Sequence, residues 1–263
     1  MNLLDRAALV IVGAGIVGAA AWCFQICDAQ TEGVRLSSAS APTPIAVDIR
    51  GSGPAAAAAA EERTPEDAAG RTALTTPDAA WLARVSRATG IPPRALRAYA
   101  GAQLTVMAEQ PSCGIGWNTV AAIGSIESDH GRHGGAVLSE TGYPSPAIRG
   151  PALDGDGVAA VADTDGGRGD GDTIWDRAVG PMQFIPDTWA RWGADGNGDG
   201  VADPNQIDDA ALATARYLCG AAAMTDAAGW RAAVFAYNHL DTYVDDVAAT
   251  ANRYAVAGAS ASG

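Results

Sequence analysis

Apolar residues recur at helical spacing through most of the chain after residue 75, and proline and glycine mark where the helices begin and end. Pro77 and Pro92-Pro93 stand at two predicted helix starts, where a missing backbone N–H is tolerated. The predicted helices start near residue 78, near residue 93 and at Trp117, the last of these ending near Ser128, and later ones cover roughly 209–219, 227–238 and 240–255. Residues 134–180 show neither helical nor strand periodicity and are predicted to form a long loop.

Composition supports a mostly α-helical fold. The hydrophobic fraction is 48% and is rich in alanine, while aromatic residues make up only 6% of the chain. Strand patterns are scarce, and the length after the first seventy or so residues suits one domain. We assign residues 76–258 to this domain and residues 259–263 to a tail.

The first part of the chain differs from the rest. Residues 7–27 form an uncharged apolar run long enough to span a bilayer, so residues 1–29 are predicted to be a membrane anchor or a signal sequence. The bulky end of the run, at Trp22-Cys23-Phe24, favours a retained anchor over a cleaved signal. Residues 30–75 are rich in Ala, Pro, Ser, Thr and Gly and are predicted to be a disordered linker.

The net charge and the cysteines indicate which partners and which compartment suit the chain. The formal net charge is -13, and the sequence shows no cluster of Lys and Arg of the kind that holds a phosphate backbone. Both features argue against nucleic acid as a partner. Cys113 and Cys219 are the only cysteines after the apolar run, and a disulfide is the simplest reading of the pair in an exported domain. Two free buried thiols or half of a metal site are the alternatives.

Glu127 is the first candidate for chemistry. Val120, Ile123 and Glu127 share one face of the third predicted helix, so the carboxyl group should turn toward the core with the apolar side chains. Burial raises a carboxyl pKa, which is what a general acid for glycoside cleavage requires. The alternative from spacing alone is a glutamate that reaches solvent near a helix end.

Three segments resemble the lytic transglycosylases of the lysozyme-like fold. They are Ile123-Gly124-Ser125-Ile126-Glu127-Ser128, Gly180-Pro181-Met182-Gln183-Phe184-Ile185-Pro186 and Ala236-Tyr237-Asn238, and they occur in the order that the family shows. The pattern is most similar to the membrane-bound lytic murein transglycosylase B type, glycoside hydrolase family 103, over about residues 77–255.

The resemblance implies a reaction and a substrate. Glu127 would protonate the β-1,4 glycosidic oxygen between N-acetylmuramic acid and N-acetylglucosamine in peptidoglycan, then act as base to form a 1,6-anhydro end, with the substrate's N-acetyl group in place of a second carboxylate. A hydrolytic muramidase remains an alternative, with Asp129 or a residue of the Asp163–Asp176 loop as second carboxylate. A second alternative is a cell-wall binding module that has no catalytic activity.

The same resemblance assigns substrate-binding residues. Gln183 matches the glutamine that hydrogen-bonds substrate near the acid, Tyr237 matches the tyrosine beside the acid, and Asn238 follows it in the same motif. Tyr237 also lies on an apolar helical stripe, so a core aromatic is its alternative role. The apolar run at the N-terminus predicts an exported protein of the cell envelope, anchored to the outer face of the cytoplasmic membrane through its N-terminal helix or secreted, and we expect a monomer.

A second motif predicts a structural cation, although the chemistry itself needs no cofactor. Residues 195–200 follow the EF-hand pattern of oxygen ligands at alternate positions with a turn glycine at the sixth. The predicted ligands are Asp195, Asn197, Asp199, the Val201 carbonyl and Asp209, the last because the family's loop is longer and Gln206 replaces the usual glutamate. Asp203 or Asp208 could substitute for Asp209, the ion is Ca²⁺ or Na⁺, and an acidic turn without metal is the alternative.

The segment from Asp163 to Asp176 is also acidic and glycine-rich. A second cation site, a wall of the cleft and a solvated loop all fit its composition, because the spacing of its carboxylates matches no single ligand template. The three histidines, at positions 130, 133 and 239, are too dispersed to predict a metal site.

Overall fold

Seven α-helices make up about half of residues 73–262, the part of the chain that this computed structural model describes. They are α1 (Ala79–Thr89), α2 (Pro93–Glu109), α3 (Trp117–Ser128), α4 (Pro186–Trp192), α5 (Ile207–Ala221), α6 (Ala227–Tyr237) and α7 (Asp241–Ser262). The prediction of a mostly helical fold is confirmed, and it agrees with a lysozyme-like domain.

Two helices differ from the predicted pattern. The short α4 was not predicted, because its seven residues offer less than two full turns of apolar periodicity. Pro186 opens it and Gly193 follows it, as at many helix ends. The last helix continues through Ser262 rather than ending near residue 255, so most of the predicted tail is helical. Its alanine-rich end has high helix propensity, which explains the extension.

The long predicted loop over residues 134–180 contains two small antiparallel sheets. Strands β1 (Val137–Leu138) and β2 (Pro144–Ser145) form one, and β3 (Arg149–Ala152) and β4 (Arg177–Val179) form the other. The strands are two to four residues long, too short for alternation to be visible in the sequence. An isolated bridge between Ala162 and Trp175 holds the two ends of the acidic segment together.

The core lies around α3, which packs against α2 and α7, while α2 also packs along α5. Val120 and Ile123 are fully buried, as predicted for the inward face of α3. Gly124 lets α3 approach Tyr99 of α2 closely, since a Cβ at this position would lie 2.2 Å from the Tyr99 hydroxyl oxygen. This close contact positions the last turn of α3 against α2.

The predicted disulfide is present between Cys113 and Cys219, whose Cα atoms are 5.4 Å apart. It joins the loop after α2 to the last turn of α5 across 106 positions of sequence. Two segments that pack in the core are therefore covalently tied.

The predicted membrane helix and nearly all of the predicted linker lie outside the described residues. The last residues of the linker are described: the Leu74 N–H donates to the Gly196 carbonyl oxygen at 2.8 Å, and the Thr75 N–H donates to Thr105 Oγ1 at 3.0 Å. From residue 73 to residue 262, no helix is both long enough and apolar enough to cross a bilayer.

Candidate active site

Glu127 lies in the last turn of α3 and is buried, with 7% of its surface exposed. Burial disfavours the charged carboxylate and raises the pKa of Glu127 to about 7, although a hydrogen bond from Tyr243 opposes part of that shift. A carboxyl group with this pKa keeps its proton over much of the neutral range. The structure therefore gives Glu127 the property that a general acid needs.

Tyr243 of α7 is the direct partner of Glu127. Its hydroxyl donates to Glu127 Oε1 at 2.6 Å, and both side chains are buried. A donor on Oε1 orients the carboxyl group and leaves Oε2 as the oxygen that can carry the proton. Tyr243 was not among the predicted site residues, because in the sequence it belongs to an apolar stripe with Val244 and Val247 and reads as core.

The chain turns sharply after α3 and ties Glu127 to the segment around Pro181. Asp129 and His130 adopt left-handed backbone conformations, with φ of 50° and 61°, and end the helix. The Ser128 hydroxyl donates to the Pro181 carbonyl oxygen at 2.6 Å and accepts from the Gly131 N–H at 2.8 Å. Two of the three motifs thus meet directly beside the candidate acid.

His130 is buried between two tyrosines rather than placed for metal binding. Its Nδ1 lies 3.2 Å from the Tyr99 hydroxyl, and its Nε2 lies 3.0 Å from the Tyr254 hydroxyl. Burial lowers the pKa of His130 to about 4, so the ring is neutral at physiological pH. These contacts fix the turn after α3 to helices α2 and α7.

The transglycosylase-like segment from Gly180 to Pro186 begins with a tight turn, and Val179 and Phe184 exchange backbone hydrogen bonds across this turn. Gln183 has a left-handed φ of 52° there, and its Nε2 donates to the Gly180 carbonyl oxygen at 2.9 Å. The Tyr237 hydroxyl donates to the Met182 carbonyl oxygen at 2.7 Å. The segment Ala236-Tyr237-Asn238 is therefore hydrogen-bonded to the segment that contains Met182 and Gln183.

Gln183 and Tyr237 line one groove of about 240 Å³. The residues that line it are Gln183, Phe184, Ile185, Thr188, Arg191, Tyr217, Ala236, Tyr237 and His239, a set that does not include Glu127. Asn238 lies just after α6 and is buried, and its N–H donates to the Val234 carbonyl oxygen at 3.2 Å. We call this cavity the first groove.

Other carboxylates near α3 and in the acidic segment have structural partners. Asp129 pairs with Arg132 at 2.6 Å, and both side chains are exposed. Asp163 accepts hydrogen bonds from three successive backbone N–H groups, which lower its pKa. Backbone N–H groups lower the pKa of Asp172 in the same way. The acidic segment is thus stabilised by its own backbone.

In the predicted cation loop, backbone N–H groups converge on the acidic side chains. Asp195 accepts from the N–H groups of Gly198, Asp199 and Gly200, and Asn197 Oδ1 accepts from the Asp199 N–H. The exposed Val201 donates its N–H to Asp199 Oδ1 at 2.8 Å.

Asp209, the third residue of α5, links the two ends of this loop. Its Oδ1 accepts from Gly196 and Asn197, and its Oδ2 accepts from Asp203. Asp209 is fully buried, and burial raises its pKa to about 6. Among residues 73–262, no group of three or more His, Cys, Asp or Glu side chains is arranged to hold a metal ion. The buried carboxylate of Asp209 is the feature that would suit a cation.

Residues 168–260 match the family model described as the transglycosylase SLT domain. The matched part contains Gln183, Tyr237, Asn238 and the predicted cation loop, while Glu127 precedes it. The match supports a relationship to the lysozyme-like lytic transglycosylases, which act on peptidoglycan. Comparison with curated proteins and with solved structures gives no significant match.

Proposed function

We propose that this protein is a lytic transglycosylase that cleaves the β-1,4 bond between N-acetylmuramic acid and N-acetylglucosamine in peptidoglycan, with Glu127 as general acid and base. The observation that carries the proposal is the buried Glu127 carboxyl group, whose pKa is raised to about 7 beside the Pro181 turn. The match of residues 168–260 to a transglycosylase domain supports the same class of substrate.

In the first step, Glu127 gives its proton to the glycosidic oxygen as the bond from that oxygen to C1 of the muramic acid breaks. The hydrogen bond from Tyr243 to Oε1 stabilises the carboxylate that this transfer leaves. The neighbouring N-acetyl oxygen of the substrate stabilises the positive charge that develops at C1, as in other substrate-assisted glycosidases.

In the second step, the Glu127 carboxylate takes the proton of the muramic acid 6-hydroxyl, whose oxygen bonds to C1. The enzyme returns to its starting protonation state, water is not consumed, and the product carries a 1,6-anhydro ring. The same buried carboxyl group can serve in both steps because a pKa near 7 makes neither protonation state strongly disfavoured.

The contacts of the other carboxylates support this route over a hydrolytic one. A retaining or inverting hydrolase needs a second carboxylate close to the scissile bond. Asp129 is exposed and paired with Arg132, and Asp163 is held by the backbone of its own turn. Asp129 and Asp163 are thus committed to structural contacts, and the other carboxylates of the segment from Asp163 to Asp176 also accept hydrogen bonds within it.

The expected result with purified sacculi is the release of muropeptides with anhydro ends, each about one water lighter than a hydrolysed end. Mass spectrometry of the soluble products measures this difference directly. Glu127→Gln is the matched control, because it keeps the shape of the side chain and cannot supply a proton. Reducing ends in the products would make the protein a muramidase, and binding without release by the parent would favour a cell-wall binding module.

We also propose that the protein works outside the cytoplasm, held by its N-terminal apolar segment. The Cys113–Cys219 disulfide supports an oxidising compartment, since such bonds are rare in reducing ones. Fractionation of cells that produce the full chain, with and without residues 1–29, tests this proposal. Activity in the soluble cytoplasmic fraction alone would contradict it.

We further propose that the loop from Asp195 to Asp209 binds a structural Ca²⁺. Its residues offer hard oxygen ligands, and a cation there would offset the burial of Asp209. Calcium at about 100 times its dissociation constant should stabilise the fold by about 2.7 kcal/mol, which raises the melting temperature by roughly 5 to 10 °C. Thermal unfolding with calcium and with a chelator measures the shift.

Asp195→Asn is the matched variant for this calcium test, because it preserves size and removes one ligand charge. The variant should lose most of the shift. Equal melting temperatures of the parent in calcium and chelator would refute the site.

A further inference from the structure

The turn that follows α3 has an unfavourable backbone conformation. Asp129, His130 and Gly131 have φ of 50°, 61° and 82°, so three successive residues are left-handed and two of them carry a Cβ. Left-handed backbone is unfavourable for residues other than glycine, although histidine and aspartate adopt it more often than most. Such a conformation persists only where the surrounding contacts fix it. The contacts of this turn therefore decide whether it keeps its shape.

The His130 side chain joins the turn to two distant helices. Only 2% of its surface is exposed, and its Nδ1 and Nε2 lie 3.2 Å and 3.0 Å from the hydroxyl oxygens of Tyr99 in α2 and Tyr254 in α7. A neutral imidazole has one N–H and one free nitrogen, so one hydroxyl donates to the ring and the other accepts from it. Both ring nitrogens are thus satisfied within the core.

The other contacts of the turn are exposed or belong to its backbone. The Asp129 carboxylate pairs with Arg132 at 2.6 Å, but both groups are exposed, and exposed ion pairs contribute little. The N–H groups of Asp129 and His130 donate to the carbonyl oxygens of Ser125 and Gly124 at 3.0 Å and 2.9 Å, as at other helix ends. The buried ring of His130 is therefore the side chain best placed to hold the turn.

The shape of the turn determines how the end of α3 meets the Pro181 segment, whose next residues line the first groove. The Ser128 hydroxyl accepts from the Gly131 N–H at 2.8 Å and donates to the Pro181 carbonyl oxygen at 2.6 Å. Gly131 also lies against Pro181, since a Cβ at position 131 would be 3.8 Å from the Pro181 Cβ. A change in the turn would break this arrangement one residue after Glu127.

We propose that His130 is a positioning residue for the acid. Held between Tyr99 and Tyr254, its ring keeps the strained turn in place, and the turn keeps the Glu127 carboxyl group buried beside Pro181. His130 itself does not touch the substrate in this role. The inference rests on the proposed function, because it concerns the residue that the reaction needs.

Two variants of the full chain test this role on soluble peptidoglycan strands. Tyr254→Phe removes one hydroxyl from the ring, and His130→Asn keeps a residue that tolerates left-handed backbone but is too short to reach both tyrosines. Each should lower kcat roughly tenfold with little change in KM, because the acid is displaced and substrate binding is not. The loss of activity at high pH should also begin at a lower pH, since a less buried Glu127 has a lower pKa. The double variant should be no worse than His130→Asn, because both changes remove the same contact.

Thr119→Val is the matched control for a loss of stability alone. Thr119 is buried in α3, roughly two helical turns before Glu127, and accepts a hydrogen bond from Trp230 Nε1 at 3.1 Å. The control should unfold at a lower urea concentration and keep the parental kcat and pH dependence. The same result for Tyr254→Phe and His130→Asn would overturn the proposal, because the ring would then only stabilise the fold. If His130→Asn does not fold, Tyr254→Phe decides the outcome.

A readout without turnover separates this inference from the proposed function. The urea midpoint of the parent should fall between about pH 4 and about pH 8 as Glu127 ionises, and Tyr254→Phe should show a smaller fall than Thr119→Val. Equal falls in the two variants would refute the role of His130. The proposed function fails in a different way, since the parent would then release no muropeptides.

Discussion

Glu127→Gln should reduce the release of muropeptides by roughly 10² to 10⁴-fold, the usual contribution of a positioned general acid. The amide keeps the hydrogen-bond acceptor for Tyr243 and cannot donate a proton to the glycosidic oxygen. Turnover by the parent should also fall as pH rises through about 7, because the acid must be protonated. The measurement is the initial rate of release from labelled sacculi at several pH values. A variant that keeps a tenth of the parental rate would exclude Glu127 as the acid.

The same substitution should make the protein more stable at high pH. Because the pKa of Glu127 rises from an ordinary 4.5 to about 7 on folding, the folded state binds more protons than the unfolded state between these values. This contribution to stability is fully present below about pH 4.5 and is lost as pH rises through about 7. Glutamine does not ionise, so the variant should exceed the parent by up to about 3 kcal/mol at pH 8.

Urea unfolding at about pH 4 and about pH 8 checks this difference. The variant and the parent should unfold at similar urea concentrations at the lower pH and diverge at the higher one. Parallel curves at both pH values would show that the carboxyl group is not held in a buried, neutral form. This result would also remove the main physical support for its catalytic role.

Loss of the Cys113–Cys219 disulfide should destabilise the domain by about 2 to 5 kcal/mol. The bond spans 106 positions, so it constrains a large part of the unfolded chain, and both cysteines pack against the core. The double variant Cys113→Ser, Cys219→Ser removes it without leaving a free thiol. Urea unfolding of the purified protein measures the loss.

Reduction of the parent by dithiothreitol is the independent control for this prediction. It should lower the urea midpoint of the parent and leave the double serine variant unchanged. If the double variant were as stable as the oxidised parent, the bond would contribute little to folding. Activity at low temperature should survive in the double variant, because the disulfide is not in contact with Glu127.

Local signals explain what could be predicted from the sequence. Helix α3 was predicted because Val120, Ile123 and Glu127 repeat at helical spacing and because Gly131 follows its predicted end. The disulfide was predicted because the domain contains only two cysteines. The order of the three motifs indicated the class of substrate, and the family match over residues 168–260 supports it.

The contacts between distant segments could not be predicted from such local signals. Tyr243 reaches Glu127 across 116 positions, and its place in an apolar stripe gave it the pattern of a core residue. The two small sheets pair strands of two to four residues, which carry no detectable alternation. The partner of Gln183, the Gly180 carbonyl, depends on the left-handed conformation of Gln183 itself.

The sequence alone determined six of the seven described helices, the cysteine pair and the candidate acid. The helices depend on spacing along one element, the pair on the number of cysteines, and the acid on the motif around it. Only the tertiary structure decided the environment of that acid: the burial that raises its pKa, the Tyr243 hydroxyl on Oε1 and the contact of Ser128 with Pro181. These properties arise from the packing of α3 against α7 and the Pro181 turn. Packing depends on distances between elements, which periodicity along a single element does not specify.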